Sequence, residues 1–188
     1  MKNLYLIGGG GHCKSCIDVI ELENKFKIKG IFDIKDKIGD SVLGYRIIGD
    51  DNDIQKFRSI NNHFFITLGQ IDTADIRKKY FNMNLNFAKI ISPRAYVSKN
   101  SKINEGTIIM HDVTINSGAI VGKNCIINTK SLIEHDAIIG DHCHISTGAI
   151  INGGAIVEAE TFIGSGVVTK QSIVIKKKSF IKANTLVK

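Results

Sequence analysis

Two hydrophobic rhythms divide the chain. In the first half, short apolar runs alternate with stretches whose apolar residues recur at helical spacing. Residues 4–7 form a strand-like run ending in Gly8-Gly9-Gly10-Gly11-His12, and residues 13–22 carry apolar side chains at 13, 16, 17, 19 and 20, the face of a helix. Residues 28–32 read as a second strand closed by Asp33, residues 64–69 as a third, and residues 73–81 as a second helix. Strand, glycine loop, helix, strand is the βαβ order of a small parallel sheet, so residues 1–88 are expected to form a Rossmann-like α/β domain.

From residue 97 onward the rhythm is six. Val97, Ile103, Ile109, Ile115, Val121, Ile127, Ile133, Ile139, Ile145, Ile151, Val157, Ile163, Thr169, Ile175, Ile181 and Val187 stand six apart, and fifteen of these sixteen are Ile or Val. The residue two places before each is small at every step except Ile173. Neither a helix nor an amphipathic strand has this period. One aliphatic and one small inward position per hexad fits a coil of three short flat strands, about 18 residues per coil. The register never slips between 97 and 187, which predicts about five coils. Residues 89–188 are therefore expected to be a left-handed parallel β-helix of hexapeptide repeats, with the small residue where the chain turns its corner. Flat prism faces favour side-by-side packing, and a homotrimer is expected.

Charge narrows the partners. The 188 residues carry 25 Lys+Arg against 18 Asp+Glu, a formal charge of +7. Residues 1–88 balance at +2, residues 89–160 at −1, and the last 28 residues add +6 through Lys170, Lys176, Lys177, Lys178, Lys182 and Lys188. Only four basic residues are Arg, and Phe180 is the one aromatic within 170–188. A nucleic-acid module leans on Arg forks and exposed aromatics, so no nucleic acid is expected. The opening apolar run is too short for a signal segment or a spanning helix, and four cysteines are few for a disulfide scaffold. A cytoplasmic protein without membrane insertion is expected.

Within the repeat, residues 18 apart stack at about 4.8 Å. Ser117 and Gly153 thus flank His135, an outward residue in Ile133-Glu134-His135-Asp136. Small neighbours leave a groove beside the imidazole, and Glu134 and Asp136 are placed to hold the ring and raise its basicity. The alternative is a surface histidine bonded to a neighbour. Cys125 and Cys143, also 18 apart, read as small core residues, although their spacing permits a disulfide. His111, His135, His142 and His144 are separated by 24, 7 and 2 residues, which reproduces no three-histidine zinc pattern, and no metal is expected. The loop from Gly8 to Lys14 follows a strand and opens a helix, where backbone N–H groups bind phosphate. It matches neither the dinucleotide fingerprint nor a Walker loop. A nucleotide-binding turn stands against a structural turn, with Asp33 where such folds contact a ribose or base. Cys13-Lys14-Ser15-Cys16 reads as two cysteines facing the sheet rather than a redox pair.

The Gly-Gly-Gly-Gly-His-x-Lys loop, a short nucleotide-sugar-type domain and the β-helix bearing Ile-Glu-His-Asp-x-x-Ile-Gly-Asp-x-x-His-Ile-Ser together resemble the NeuD/PglD-type sugar acyltransferases over essentially the whole chain. The resemblance implies transfer of the acetyl group of acetyl-CoA to an amino group of a nucleotide-linked sugar, of UDP-4-amino-sugar type, for bacterial surface glycans. A sialic acid O-acetyltransferase is the alternative within the family. It further implies His135 as general base, supported by Asp136 with Glu134 beside it, His144 near the acetyl group, and a Gly153 N–H near the thioester carbonyl. Gly10, Gly11, His12 and Asp33, with Lys14 in the same loop, would hold the nucleotide sugar. Family members continue into a Pro-Ala-Arg/Lys element that helps hold CoA; this sequence shows none, and the lysine edge, Lys170 included, is expected to meet the CoA phosphates. Homotrimers with active sites at subunit boundaries follow from the same resemblance. Rivals from other classes are a non-catalytic nucleotide-sugar-binding homologue and a metal-dependent hydratase on the hexapeptide fold.

Overall fold

The structure, a computed structural model, describes residues 1–69, 71 and 73–188. Strands β1 (Lys2–Ile7), β2 (Phe26–Phe32), β3 (Ser41–Val42), β4 (Tyr45–Gly49) and β5 (Asn62–Ile66) form one sheet in the order β3-β4-β2-β1-β5. The strands β4, β2, β1 and β5 run parallel, and β3 is an antiparallel edge. Alternation along β1 sends Leu4 and Leu6 to one core and Tyr5 and Ile7 to the other. Helix α1 (Gly11–Glu23) buries Cys13, Cys16, Ile17, Val19 and Ile20, the spacing read from the sequence. It stops at Asn24, left-handed at φ 55°, whose N–H returns to the Ile20 carbonyl.

The ribbon of β3 and β4 was not among the expected strands. Only Val42, Ile47 and Gly49 are buried there, too few to write an apolar run. Residues 67–69 were expected to prolong the third strand, but β5 ends at Ile66. The Thr67 hydroxyl turns back to donate to the Ile7 carbonyl at 3.0 Å, drawing the chain out of the sheet toward the glycine loop. A short helix α2 (Asp75–Phe81) follows.

Seventeen two-residue strands, from Ile90–Ile91 to Leu186–Val187, then form three parallel sheets of six, five and six strands. Partners lie 18 residues apart, as in Ile115 with Ile133 and Ile133 with Ile151. With three strands to a coil, the solenoid makes between five and six coils and starts one hexad earlier than Val97, at Ile91. Hexad aliphatics fill the prism, with Ile109 to Ile163 all buried at that position. Thr169 breaks the aliphatic series yet is equally buried, because its hydroxyl accepts the Asn152 N–H at 2.9 Å.

The corner itself falls one residue before the small position. Gly106, Asp112, Gly118, Asn124, Lys130, Asp136, His142, Gly148, Gly154, Glu160, Gly166, Ser172, Lys178 and Asn184 stand six apart and share φ between 50° and 78°. Each turns the chain through the left-handed region, and the small residue after it faces inward.

The two architectures share one core. A single buried cluster runs from Leu4 and α1 through Ile90, Ile108 and Ile126 to Ile175. Those three isoleucines belong to the outward row of one solenoid sheet, which the α/β layer covers; the next members, His144, Phe162 and Phe180, emerge from that cover until Phe180 is 49% exposed. At the junction Arg77 of α2 is enclosed and donates from Nη2 to the Asn124 carbonyl and, at 2.9 Å, to its Oδ1. Next to it Lys78 binds Glu160 at 2.8 Å.

Candidate active site

The left-handed turn at Asp136 (φ 59°) swings its carboxylate back beside its neighbour, so Asp136 Oδ2 lies 2.9 Å from His135 Nδ1. A Cβ on Gly118, one coil away, would collide with that carboxylate, so the turn stays open only because position 118 is glycine. A carboxylate accepts only, which places the ring proton on Nδ1 and leaves the lone pair on Nε2. Asp136 foremost, through that hydrogen bond, and Glu134 at longer range raise the His135 pKa above the usual histidine value. Glu134 does not touch the ring. Its Oε2 accepts from Asn116 Nδ2 at 2.8 Å and from the His135 backbone N–H at 3.3 Å.

Gly153 lies against the other side of the imidazole, where a Cβ would sit 2.6 Å from His135 Nε2. Among the described residues nothing accepts a hydrogen bond from the Gly153 amide. A basic nitrogen therefore stands over a free backbone donor, the pair of groups an acyl transfer needs for the attacking nucleophile and for the oxyanion. The His135 side chain is 59% exposed in the single chain.

His144 lies elsewhere. It belongs to another face of the prism, meets Phe162 edge-on at 5.2 Å, and its Nε2 is 3.3 Å from Asn128 Nδ2. It lines a small pocket at the domain junction with Arg77, His142, Glu160 and Thr161. His12 also approaches this junction. Burial first, then the nearby His144 and Arg77, lower its pKa to about 4, so it is neutral, and its buried Nε2 has no partner. Within one chain the structure thus groups His135, Asp136 and Gly153 at one corner and His12 with His144 at the junction.

The glycine loop is latched from below. Asp33 Oδ2 accepts the Gly9 N–H at 2.7 Å and Lys37 Nζ at 3.3 Å, while Oδ1 accepts the Ile34 N–H at 2.7 Å. A Cβ on Gly9 would lie 2.8 Å from that carboxylate. Gly10 and Gly11 have open space before them, Gly10 is the N-terminal boundary of α1 with no side-chain cap, and Lys14 points to solvent. Cys13 and Cys16 are both buried, and burial pushes Cys13 up to about 11 and Cys16 well above its usual value, so neither supplies a thiolate. Cys125 and Cys143 are likewise free and buried.

The lysine edge is less bare than its composition. Lys176 reaches Glu158 at 3.5 Å, and Lys177 and Lys178 reach Glu160 at 3.0 and 3.8 Å. With Lys78, these hold Glu160 down to about pKa 2. Lys170 stays exposed, one coil beyond Asn152 on the corner that carries Glu134. Among the described residues no group of three or more His, Cys, Asp or Glu is arranged to hold a metal ion, and no helix is long and apolar enough to cross a membrane. Sequence reasoning missed Asn116, which the 18-residue register places under Glu134, and Arg77, Glu160 and Phe162, for which the hexad carries no signal.

A protein-family profile, PglD N-terminal domain, matches residues 3–83, the whole α/β layer from β1 through α2. The chain is of the NeuD/PglD type. Its solenoid is the left-handed β-helix of acetyltransferases: the acetyltransferase domain of PglB from Neisseria gonorrhoeae FA1090 superposes with a TM-score of 0.91 at 22% identity, covering 100% of this chain and 92% of that one. PerB from Caulobacter crescentus, solved with CoA and GDP-perosamine, is 25% identical with a TM-score of 0.68, covering 99% and 93%. WeeI from Acinetobacter baumannii AYE gives 17% and 0.76, covering 99% and 96%. Uncharacterized protein L142 of Acanthamoeba polyphaga mimivirus is 39% identical over 108 residues, 56% of this chain; the match spans 21% of that curated relative.

Proposed function

We propose that this NeuD/PglD-type chain is a nucleotide-sugar acetyltransferase that uses acetyl-CoA and acetylates an amino group. The observation that carries the reading is the His135 corner: Nδ1 tied to Asp136, Nε2 unprotonated, and the Gly153 amide beside it without an acceptor. The acceptor amine attacks the thioester carbonyl while His135 Nε2 takes its proton; the carbonyl oxygen gains charge opposite the Gly153 N–H; the tetrahedral intermediate then expels the thiolate, which recovers the proton from His135. Direct transfer needs the two substrates held together and no covalent enzyme intermediate. PerB, the relative bound to CoA and GDP-perosamine, supports this substrate pair. An acceptor of the UDP-4-amino-sugar class fits the uncapped start of α1, where Gly10 and Gly11 leave room for a pyrophosphate. Asp33 acts on it through the loop, as a positioning residue, and Lys14 is free to meet the phosphate.

The exposed His135 corner, the apolar outward residues Ile120, Ile138 and Val174 on the sheet beside it, and the separate place of His144 support a homotrimer whose sites lie at subunit boundaries. In that arrangement His135 of one copy faces His144 and the glycine loop of the next. Thiol release from acetyl-CoA, followed with a panel of UDP- and GDP-linked amino sugars, tests the reading. Release is expected with one of them and a loss of at least about 100-fold for His135→Ala; near-normal turnover of that variant would remove His135 from the chemistry.

A further inference from the structure

We propose that the Phe180 face, flanked by Lys177, Lys178 and Lys182, seats the phosphorylated adenosine end of the acetyl donor; this rests on the acetyl-CoA reading above. The outward row of one solenoid sheet reads Ile90, Ile108, Ile126, His144, Phe162, Phe180. Its first three members are apolar because the α/β layer packs on them. That reason stops at His144, yet the row then becomes aromatic. The Phe162 and Phe180 rings stack with centroids 5.1 Å apart and planes 14° from parallel, and His144 abuts Phe162 from below. The ladder therefore starts at the junction pocket that holds His144 and ends, two rung spacings or about 9.6 Å further on, in a flat ring open to solvent on its far side. A purine stacks on such a ring with little demand on hydrogen bonding.

The surrounding charge suits a phosphorylated base rather than a neutral one. Lys78, Lys177 and Lys178 converge on the single carboxylate of Glu160, at 2.8, 3.0 and 3.8 Å. Three ammonium groups on one carboxylate leave two positive charges over. Asp75 borders the same hollow beside Lys178 and offsets one of them; Lys182, exposed just past Phe180, adds one back. Lys176 is spent on Glu158. Glu160 thus fans Lys177 and Lys178 out beside the ring instead of cancelling them, and phosphate groups close to a purine complete the set.

The test uses the full chain and two readouts. Calorimetry with adenosine 3′,5′-bisphosphate, which lacks the pantetheine arm, is expected to show binding that falls 10-fold or more in Phe180→Ala and in Phe180→Leu, the latter keeping the apolar bulk without the ring face. Steady-state thiol release is expected to show KM for acetyl-CoA rising by a similar factor in both variants with kcat within twofold. Lys182→Ala is expected to weaken the bisphosphate severalfold. Wild-type protein that releases thiol but does not bind the bisphosphate, or Phe180→Leu that binds it normally, overturns this inference and leaves the acetyltransferase reading standing. A change in the oligomer's mass on Phe180→Ala also overturns it, by making the ring a contact between copies. Absence of thiol release with every acceptor defeats the acetyltransferase reading itself, and the inference with it.

Discussion

His135 is held at one nitrogen and open at the other, and Asp136 decides both facts. Its carboxylate fixes the tautomer and raises the pKa, so the neutral base forms only above the usual histidine range. Activity that depends on the neutral ring rises with pH through that raised value. In Asp136→Asn the ionic support disappears, the folded-state pKa falls, and the acid limb of kcat/KM is expected to move to lower pH, while lost orientation lowers kcat roughly 10- to 100-fold. A pH–rate profile checks both; an acid limb that stays in place would detach Asp136 from the base. The neighbours above and below His135 could be read from spacing alone, because an 18-residue coil stacks 117, 135 and 153. The direction of Glu134 could not: three adjacent polar residues look alike in sequence, and only the turn at Asp136 sends one carboxylate to the ring and leaves the other to Asn116.

At the scale of elements, the solenoid follows from its hexads, since an aliphatic every sixth residue has one way to be buried. Its corners were displaced by one position from the expected place. Gly, Asp, Asn, Lys, His, Glu and Ser share the corner, and what they share is a backbone conformation rather than a chemistry. Lys130, exposed at φ 60°, carries the cost of the left-handed region, about 1–2 kcal/mol for a residue with a Cβ, whereas glycine gives up about 0.5–1 kcal/mol of chain entropy instead. Lys130→Gly is therefore expected to stabilise the chain by ~0.5–1 kcal/mol, seen as a higher urea midpoint with an unchanged slope. A lower midpoint would show that the Lys130 side chain holds something the turn needs. The β3–β4 ribbon escaped the sequence for the opposite reason: it is a covered edge with few inward residues, so burial leaves little pattern.

For the molecule as a whole, the separation of His135 from His144 is the decisive feature. If sites are shared between copies, a chain lacking His135 and a chain lacking His144 each fail alone, yet copies mixed at random place one intact half beside the other in about a quarter of the boundaries. Co-expression of His135→Ala with His144→Ala is expected to restore about a quarter of wild-type thiol release. Mixtures as inactive as either variant would place the whole site within one chain. The charge of the last coils changes meaning at the same scale: +6 by composition becomes a partly neutralised fan around Glu158 and Glu160, two acids from the preceding coil.

The sequence by itself determined the repeat, the α/β layer before it, the stacking of Ser117, His135 and Gly153, and the family resemblance that the profile over residues 3–83 bears out. Each is a matter of spacing along one chain, and burial imposes spacing directly. Tertiary structure alone decided that α1 and three outward isoleucines share a core, that Arg77 closes the junction against Asn124, that His12 is buried neutral beside His144, and that the histidines of one chain fall into two places. Those outcomes depend on how the α/β layer docks against one face of the prism. Contacts between residues dozens of positions apart, such as Arg77 with Asn124 or Lys78 with Glu160, have no period for the sequence to display.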